Sequence, residues 1–255
     1  MAAAQASLAK AFKALHKPGN PIILANVYDA ATARAVAALP SSRVIATSSF
    51  AIAAVSGSSD DDLTRELNFR AAETISNSIK EFGKPLSVDF QDGYGEQLED
   101  ALTDLIKAGA VGINLEDYNR EEDRFYTPDE AAARIQRAAK TAHALGIPDF
   151  VVNARSDVLV HGGELSEVIS RGKKYLAAGA TTVFVWGASR GVSREEVKAL
   201  VEAFDGRLNV LMKPSNGLTA KELSGLGVAR ISIGISLYLA ALAKFKEEAE
   251  KVLQV

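Results

Sequence analysis

Apolar residues along this chain fall into two alternating patterns. Short, nearly continuous apolar runs, rich in β-branched residues, occupy residues 21–24, 43–46, 85–88, 111–115, 150–153, 182–185, 208–211 and 228–233. Runs without polar alternation suit parallel strands covered on both faces. Between them the spacing becomes helical: Leu98, Ala101, Leu102, Leu105 and Ile106 fall at i, i+3, i+4, i+7 and i+8, one apolar stripe. Gly83, Gly109, Gly146, Gly179 and Gly227 each stand between a helical stretch and the next run, where a left-handed cap ends a helix. Capping boxes at Thr127-Pro-Asp-Glu130, Ser193-Arg-Glu-Glu196 and Thr219-Ala-Lys-Glu222 mark three helix starts. About eight strands alternating with helices predict an α/β fold, a closed (β/α)8 barrel of TIM type over residues 1–255 as one domain. Residues 5–16 and 236–253 read as helices added to it. The last carries Leu237, Leu239, Ala240, Leu242 and Phe245, more apolar surface than an outer helix of a barrel needs, which predicts an interface between copies.

Composition narrows the function classes. With 47% hydrophobic and 24% charged residues the chain can bury a large core. A net charge of -3 gives no reason to expect nucleic acid or an anionic membrane as partner. The absence of Cys excludes disulfides, zinc–thiolate sites and cysteine nucleophiles together. The start Met1-Ala-Ala-Ala-Gln5 does not read as a secretion signal, and no apolar stretch approaches the ~20 residues of a membrane span. A cytoplasmic protein is the expectation.

In a barrel of this type chemistry sits where the strands end. The runs here lead into Asn26-Val-Tyr-Asp29, Thr47-Ser-Ser-Phe50, Asp89-Phe-Gln-Asp-Gly-Tyr-Gly95, Glu116-Asp117, Asn153-Ala-Arg155-Ser-Asp157, Trp186 and Lys213-Pro-Ser215. Charges and hydroxyls therefore gather at one rim from strands far apart in sequence. Asp89 and Glu116, at adjacent strand ends, converge on one point and offer the oxygen ligands a hard cation such as Mg²⁺ takes. Arg155 is either a buried ion-pair partner of its neighbours or a planar fork for a substrate carboxylate or phosphonate. Gly93 and Gly95 either shape a turn or let backbone approach a ligand. His16 and His143 lie in helical stretches and read as surface residues. His161, beside Gly162-Gly163, is a solvated loop residue unless that loop is a lid.

These strand ends resemble the isocitrate lyase/phosphoenolpyruvate mutase superfamily. The matching stretches are Asn26-Val-Tyr-Asp29-Ala-Ala-Thr-Ala-Arg34, Val88-Asp89-Phe-Gln-Asp-Gly-Tyr-Gly95, Gly112-Ile-Asn-Leu-Glu116-Asp117, Asn153-Ala-Arg155-Ser-Asp157 and Tyr175-Leu-Ala-Ala-Gly-Ala180. Their order along nearly the whole chain makes the resemblance specific, and the ending from Leu208 to Gly234 is similar to the mutase-like, carboxyphosphonoenolpyruvate phosphonomutase-like branch. The resemblance implies chemistry at a C–C or P–C bond beside the carbonyl of a 2-oxo acid, through a Mg²⁺-stabilised enolate. It implies that Asp89 holds the metal, with Glu116 acting through water and Gln91 standing where a second acid is usual, unless Asp92 replaces it. Ser48, Ser49 and Phe50 would cradle the substrate carboxylate, with Asp89, Asn153 and Trp186 also facing substrate. Arg155 would bind the leaving group, and Asp60 in the gating loop and Tyr28 join it as catalytic candidates. Paired subunits that exchange C-terminal helices and form dimers of dimers are also implied.

Departures bound the reaction. The lyases carry Lys-Cys-Gly-His after the Glu-Asp pair; here Tyr118-Asn-Arg-Glu-Glu-Asp-Arg-Phe125 has no Lys, Cys or His. The mutases carry a Lys and an Asn there and a His where Trp186 stands. The expectation is a Mg²⁺-dependent, lyase-type enzyme acting on a small 2-oxo or 2-hydroxy acid. The rivals are a phosphonate mutase or hydrolase, and an oxo-acid-binding barrel without catalysis.

Overall fold

The computed structural model describes residues 2–213 and 217–254, so Pro214 and Ser215, expected after the seventh run, lie outside the described residues. The strands in chain order are β1 (Ile22–Leu24), β2 (Asn26–Val27), β3 (Ile45–Thr47), β4 (Leu86–Asp89), β5 (Ala110–Glu116), β6 (Tyr118–Asn119), β7 (Arg124–Phe125), β8 (Val151–Ser156), β9 (Thr182–Val185), β10 (Leu208–Leu211) and β11 (Arg230–Ser232). The helices are α1 (Ala2–Lys13), α2 (Ala30–Ala37), α3 (Ser49–Val55), α4 (Arg65–Ser78), α5 (Leu98–Ala108), α6 (Pro128–Ala144), α7 (Leu165–Ala177), α8 (Arg194–Ala203), α9 (Ala220–Leu226) and α10 (Ser236–Leu253).

Nine strands form one parallel sheet in the order β1-β11-β10-β9-β8-β5-β4-β3-β2. Its two edges are halves of a single strand broken at Ala25: β1 pairs with β11, and β2 pairs with β3. That join makes the sheet an eight-membered ring, the expected barrel. All eight apolar runs become strands of the ring, and the three capping boxes form as expected. A fourth box, unforeseen, joins Asp29 to Thr32 at the start of α2. Gly109 and Gly227 end α5 and α9 at φ +112° and +101°, backbone that a Cβ would strain. The sequence did not foretell the antiparallel β6–β7 hairpin.

The two added helices behave differently. Helix α1 packs on β5 and β8, with Ala9 and Phe12 fully buried, and Gln5 Nε2 donates to the carbonyls of Ile106 and Ala110. Gly112 makes this possible, since a Cβ there would stand 2.8 Å from the Phe12 ring. The amino end of the barrel is thus closed. Helix α10 buries none of its residues; Leu237, Leu239, Leu242 and Phe245 are 42–74% exposed. Ile23 on β1 is also exposed. Among the described residues no helix is long and apolar enough to cross a membrane.

Candidate active site

Residues paired in register on neighbouring parallel strands point to the same face. Asp89, Asn114, Asn153 and Thr182 form such a row across β4, β5, β8 and β9. Their side chains join in the same order. Thr182 Oγ1 donates to Asn153 Oδ1 at 2.6 Å, Asn153 Nδ2 to Asn114 Oδ1 at 2.8 Å, and Asn114 Nδ2 to Asp89 Oδ1 at 3.1 Å. The other oxygen, Asp89 Oδ2, accepts from Ser49 N (3.0 Å) and Ser49 Oγ (3.1 Å) at the start of α3. A carboxylate offers about four lone pairs, so these three donors leave one, on Oδ1. Asp89 and Asn114 form part of the wall of a pocket of about 480 Å³ at the carboxyl ends of the strands, with Ser48, Phe50, Asp60, Arg155 and Trp186 around it.

Glu116 lies two residues beyond Asn114 on β5 and shares its face; Asp117, one further, does not. Glu116 is buried between two arginines, with Oε1 2.7 Å from Arg155 Nη1 and Oε2 3.2 Å from Arg120 Nη2. Oε1 nevertheless has no aligned hydrogen-bond donor. Burial pushes the Glu116 carboxyl above the usual carboxylate range, against the pull of Arg155. Arg155 closes its fork on Asp157 at 2.6 and 2.8 Å and lies under the Trp186 ring, 4.0 Å from its centroid. Of the two roles left open for Arg155, the buried ion pair is therefore present, while Nη1 stays at the pocket wall beside Glu116. Asp117 accepts instead from Tyr175 O–H (2.7 Å) and the Asp157 N–H (2.9 Å), and burial pushes it up to about 6. The Tyr175 stretch of the resemblance is thus scaffold for that acid.

Several expected residues sit elsewhere. Gln91, expected at the metal, points its side-chain nitrogen Nε2 at the Asp60 carbonyl (2.7 Å), and its main-chain carbonyl accepts the Glu116 N–H at 2.8 Å. Asp92 does not replace it: its carboxylate accepts from the Tyr126 hydroxyl (2.8 Å) and the Tyr94 N–H, holding the loop after β4. Asn153 was expected on the substrate but has no exposed surface, because it lies beneath Asn114 in the row. Tyr28, expected to be catalytic, is not among the residues lining the pocket and packs edge-on against Tyr238 of α10. Ser49 lies at the pocket with N–H and hydroxyl both engaged by Asp89. Ser48 caps α3 without a side-chain bond. His161 is oriented after all, stacked on Tyr118 with centroids 4.1 Å apart. His16 is half-buried against Phe12, because α1 folds under the barrel, so it is no surface residue.

Arg120, at the tip of the hairpin, was missed. It donates to the Asp60 carbonyl (3.0 Å) and carboxylate (3.2 Å) and to Asp61 (3.1 Å) while pairing with Glu116. The loop that carries Asp60 and Asp61 is thereby tied to the hairpin. The available signal was the aromatic pair Tyr118 and Phe125, which flank five charged residues and face each other across the hairpin at 5.0 Å.

Among the described residues no three acids or histidines cluster as a metal cage. Mg²⁺ does not need one, since it keeps several waters and takes one or two carboxylates. The free lone pair of Asp89 at the pocket wall fits one such ligand; Glu116 does not line that pocket, and its Oε1 is ion-paired with Arg155 Nη1 without an aligned hydrogen bond.

Residues 12–253 match the family model described as phosphoenolpyruvate phosphomutase. A candidate phosphonomutase from Burkholderia cenocepacia J2315 is 33% identical, with a TM-score of 0.87 over 97% of this chain and 99% of that one. Oxaloacetate acetylhydrolase in complex with its product oxalate is 25% identical, with a TM-score of 0.85 over 98% and 88% of the chains. Phosphonopyruvate hydrolase bound to oxalate and Mg²⁺ shares the fold at 22% identity, with a TM-score of 0.82 over 96% and 86%.

Proposed function

The chain belongs to the phosphoenolpyruvate phosphomutase family, and we propose from that premise a Mg²⁺-dependent, lyase-type enzyme. Its substrate would be a small 2-oxo or 2-hydroxy carboxylic acid, cleaved at a C–C bond or decarboxylated through an enolate. The observation that carries this reading is Asp89 at the pocket wall with a lone pair unused; Glu116, ion-paired with Arg155, would act on the metal through water. Mg²⁺ bound there would supply the positive charge that stabilises an oxyanion in a closed site. Ser48 and the first turn of α3 supply donors to a substrate carboxylate, and Trp186 with Arg155 forms the facing wall. Arg120 and Gln91 hold Asp60 at the pocket edge, where it is the candidate acid–base group for a hairpin without Lys, Cys or His. A second reading, a phosphonate mutase or hydrolase, is favoured by the pair of guanidinium groups flanking Glu116, which suits a doubly charged head group.

A turnover screen separates the readings. C4–C6 2-oxo and 2-hydroxy acids and phosphonopyruvate are offered with and without Mg²⁺ to the native chain and to Asp89→Ala. Mg²⁺-dependent turnover of a carbon acid, abolished in Asp89→Ala, is expected. Turnover of phosphonopyruvate alone moves the assignment to the second reading, and Mg²⁺-dependent binding without turnover makes the protein an oxo-acid-binding barrel.

The assembly belongs to the same proposal. With Leu237, Leu239, Leu242 and Phe245 of α10 and Ile23 of β1 exposed, an exchanged helix from a second copy is the partner we assign, in a dimer or a dimer of dimers. Light scattering at micromolar concentration should give a multiple of 27.0 kDa; the mass of one chain would refute the exchange.

A further inference from the structure

Arg230 is the largest fully buried side chain among the described residues, 1% exposed, on β11. Its Nη2 donates to Asn114 Oδ1 at 3.1 Å, and its Nε and Nη1 have no hydrogen-bond partner among the described residues. A buried guanidinium is normally matched by a carboxylate, and here the group it touches is an amide.

The touched amide is the one that donates to Asp89. A guanidinium has only N–H donors, and an ionised carboxylate only accepts. Asn114 between them can therefore stand one way round, with Oδ1 toward Arg230 and Nδ2 toward Asp89. Asn153 and Thr182 follow the same polarity, each donating to the next side chain toward Asp89. The orientation of Asn114 is set by the two charges it stands between, and Asn153 and Thr182 follow it. We propose that Arg230 is a positioning residue for Asp89, acting through Asn114. It locks the amide row so that Asp89 Oδ1 receives one N–H and keeps its remaining lone pair for a cation at the pocket. This inference rests on the metal reading of the site above.

Two physical effects predict opposite outcomes, which makes the proposal testable. Simple repulsion says that removing a buried cation near a metal site strengthens metal binding. Positioning says the reverse, since residues that orient ligands from behind typically contribute about 10–100-fold to metal affinity. The probe is Mn²⁺ alone, its affinity for the full-length protein read by electron paramagnetic resonance, beside a thermal melt of each variant. The expected result for Arg230→Met is an Mn²⁺ affinity lower by about tenfold or more, with melting at or above the native temperature. Asn114 Oδ1 still has Asn153 as donor there, so no buried acceptor is orphaned. Thr182→Val, which frees the far end of the row with little change of shape, should weaken Mn²⁺ in the same direction by less. It carries the test if Arg230→Met does not fold. Unchanged or tighter Mn²⁺ binding in folded Arg230→Met, or in Thr182→Val where Arg230→Met fails to fold, overturns the relay. The metal reading fails differently: the native chain then binds no Mn²⁺, or Asp89→Asn binds it as well as native.

Discussion

Two buried polar networks run side by side in this barrel, one in the wall behind the hairpin and one along the axis. In the wall, charges meet their opposites. Asp117 accepts from Tyr175 and lies 3.8 Å from Arg171, while Arg171 pairs with Glu167, and Arg155 forks on Asp157. Arg134 donates to the carbonyls of Asp92 and Gly95, pinning the loop after β4. Along the axis, Arg230 touches no carboxylate, and its charge reaches Asp89 only through an amide. Burying an unpaired cation costs stability that the wall does not forgo. The wall is arranged for stability and the axis for orientation, so the same residue types should respond oppositely to removal.

The largest expected effect lies in the wall. Asp117→Ala leaves the Tyr175 hydroxyl and the Asp157 N–H without an acceptor in a dry environment, and Arg171 with only the half-exposed Glu167 as its acid. Breaking a buried pair in this way costs roughly 3–5 kcal/mol. Urea unfolding should show that loss, whereas Asp89→Ala, at the open pocket, should lose less than half as much while abolishing Mg²⁺-dependent binding. Equal losses in the two variants would remove the distinction between wall and axis.

The division also explains how far the sequence could be followed. Period and caps place the eight strands, because a strand buried on both faces must be apolar whatever its tertiary partners. The rim was legible for a related reason: strand ends are where polar residues interrupt such runs, which brought Asp89, Glu116, Arg155 and Trp186 forward. What each polar residue touches was not legible, since that depends on register between strands far apart in sequence. Asn153 looks like a rim residue by position, yet register puts it under Asn114. Arg230 sits inside a run read as plain apolar strand, and nothing local marks it as the cation behind the site. Glu116 and Asp117 end the same run as neighbouring acids, and strand alternation sends their side chains to opposite faces. Gln91 was read through the residue that usually stands there, whereas its φ of +52° turns it toward Asp60.

The smallest effect concerns the foot of the axis. His16 Nδ1 lies 3.0 Å from the Phe12 carbonyl, which makes it the protonated nitrogen, and the buried Nε2 has no partner. Burial first, and the Arg230 charge second, bring its pKa from 6.5 down to about 3. Below pH 6.5 the unfolded chain takes up a proton that the folded chain refuses, so the folded state loses stability as pH falls and keeps it above 6.5. Between pH 6.5 and 4.5 native protein should therefore lose stability faster than His16→Gln, by at most about 1.4 kcal/mol per pH unit. The comparison is made by urea unfolding at matched ionic strength, so that carboxylates common to both proteins cancel. Introducing Arg230→Met into each protein should narrow the difference in slope, because one of the two causes is then gone. Parallel slopes for native and His16→Gln would mean that the imidazole is protonated in the fold. The foot of the axis would then hold two adjacent cations, and the contrast with the wall would be sharper than drawn here.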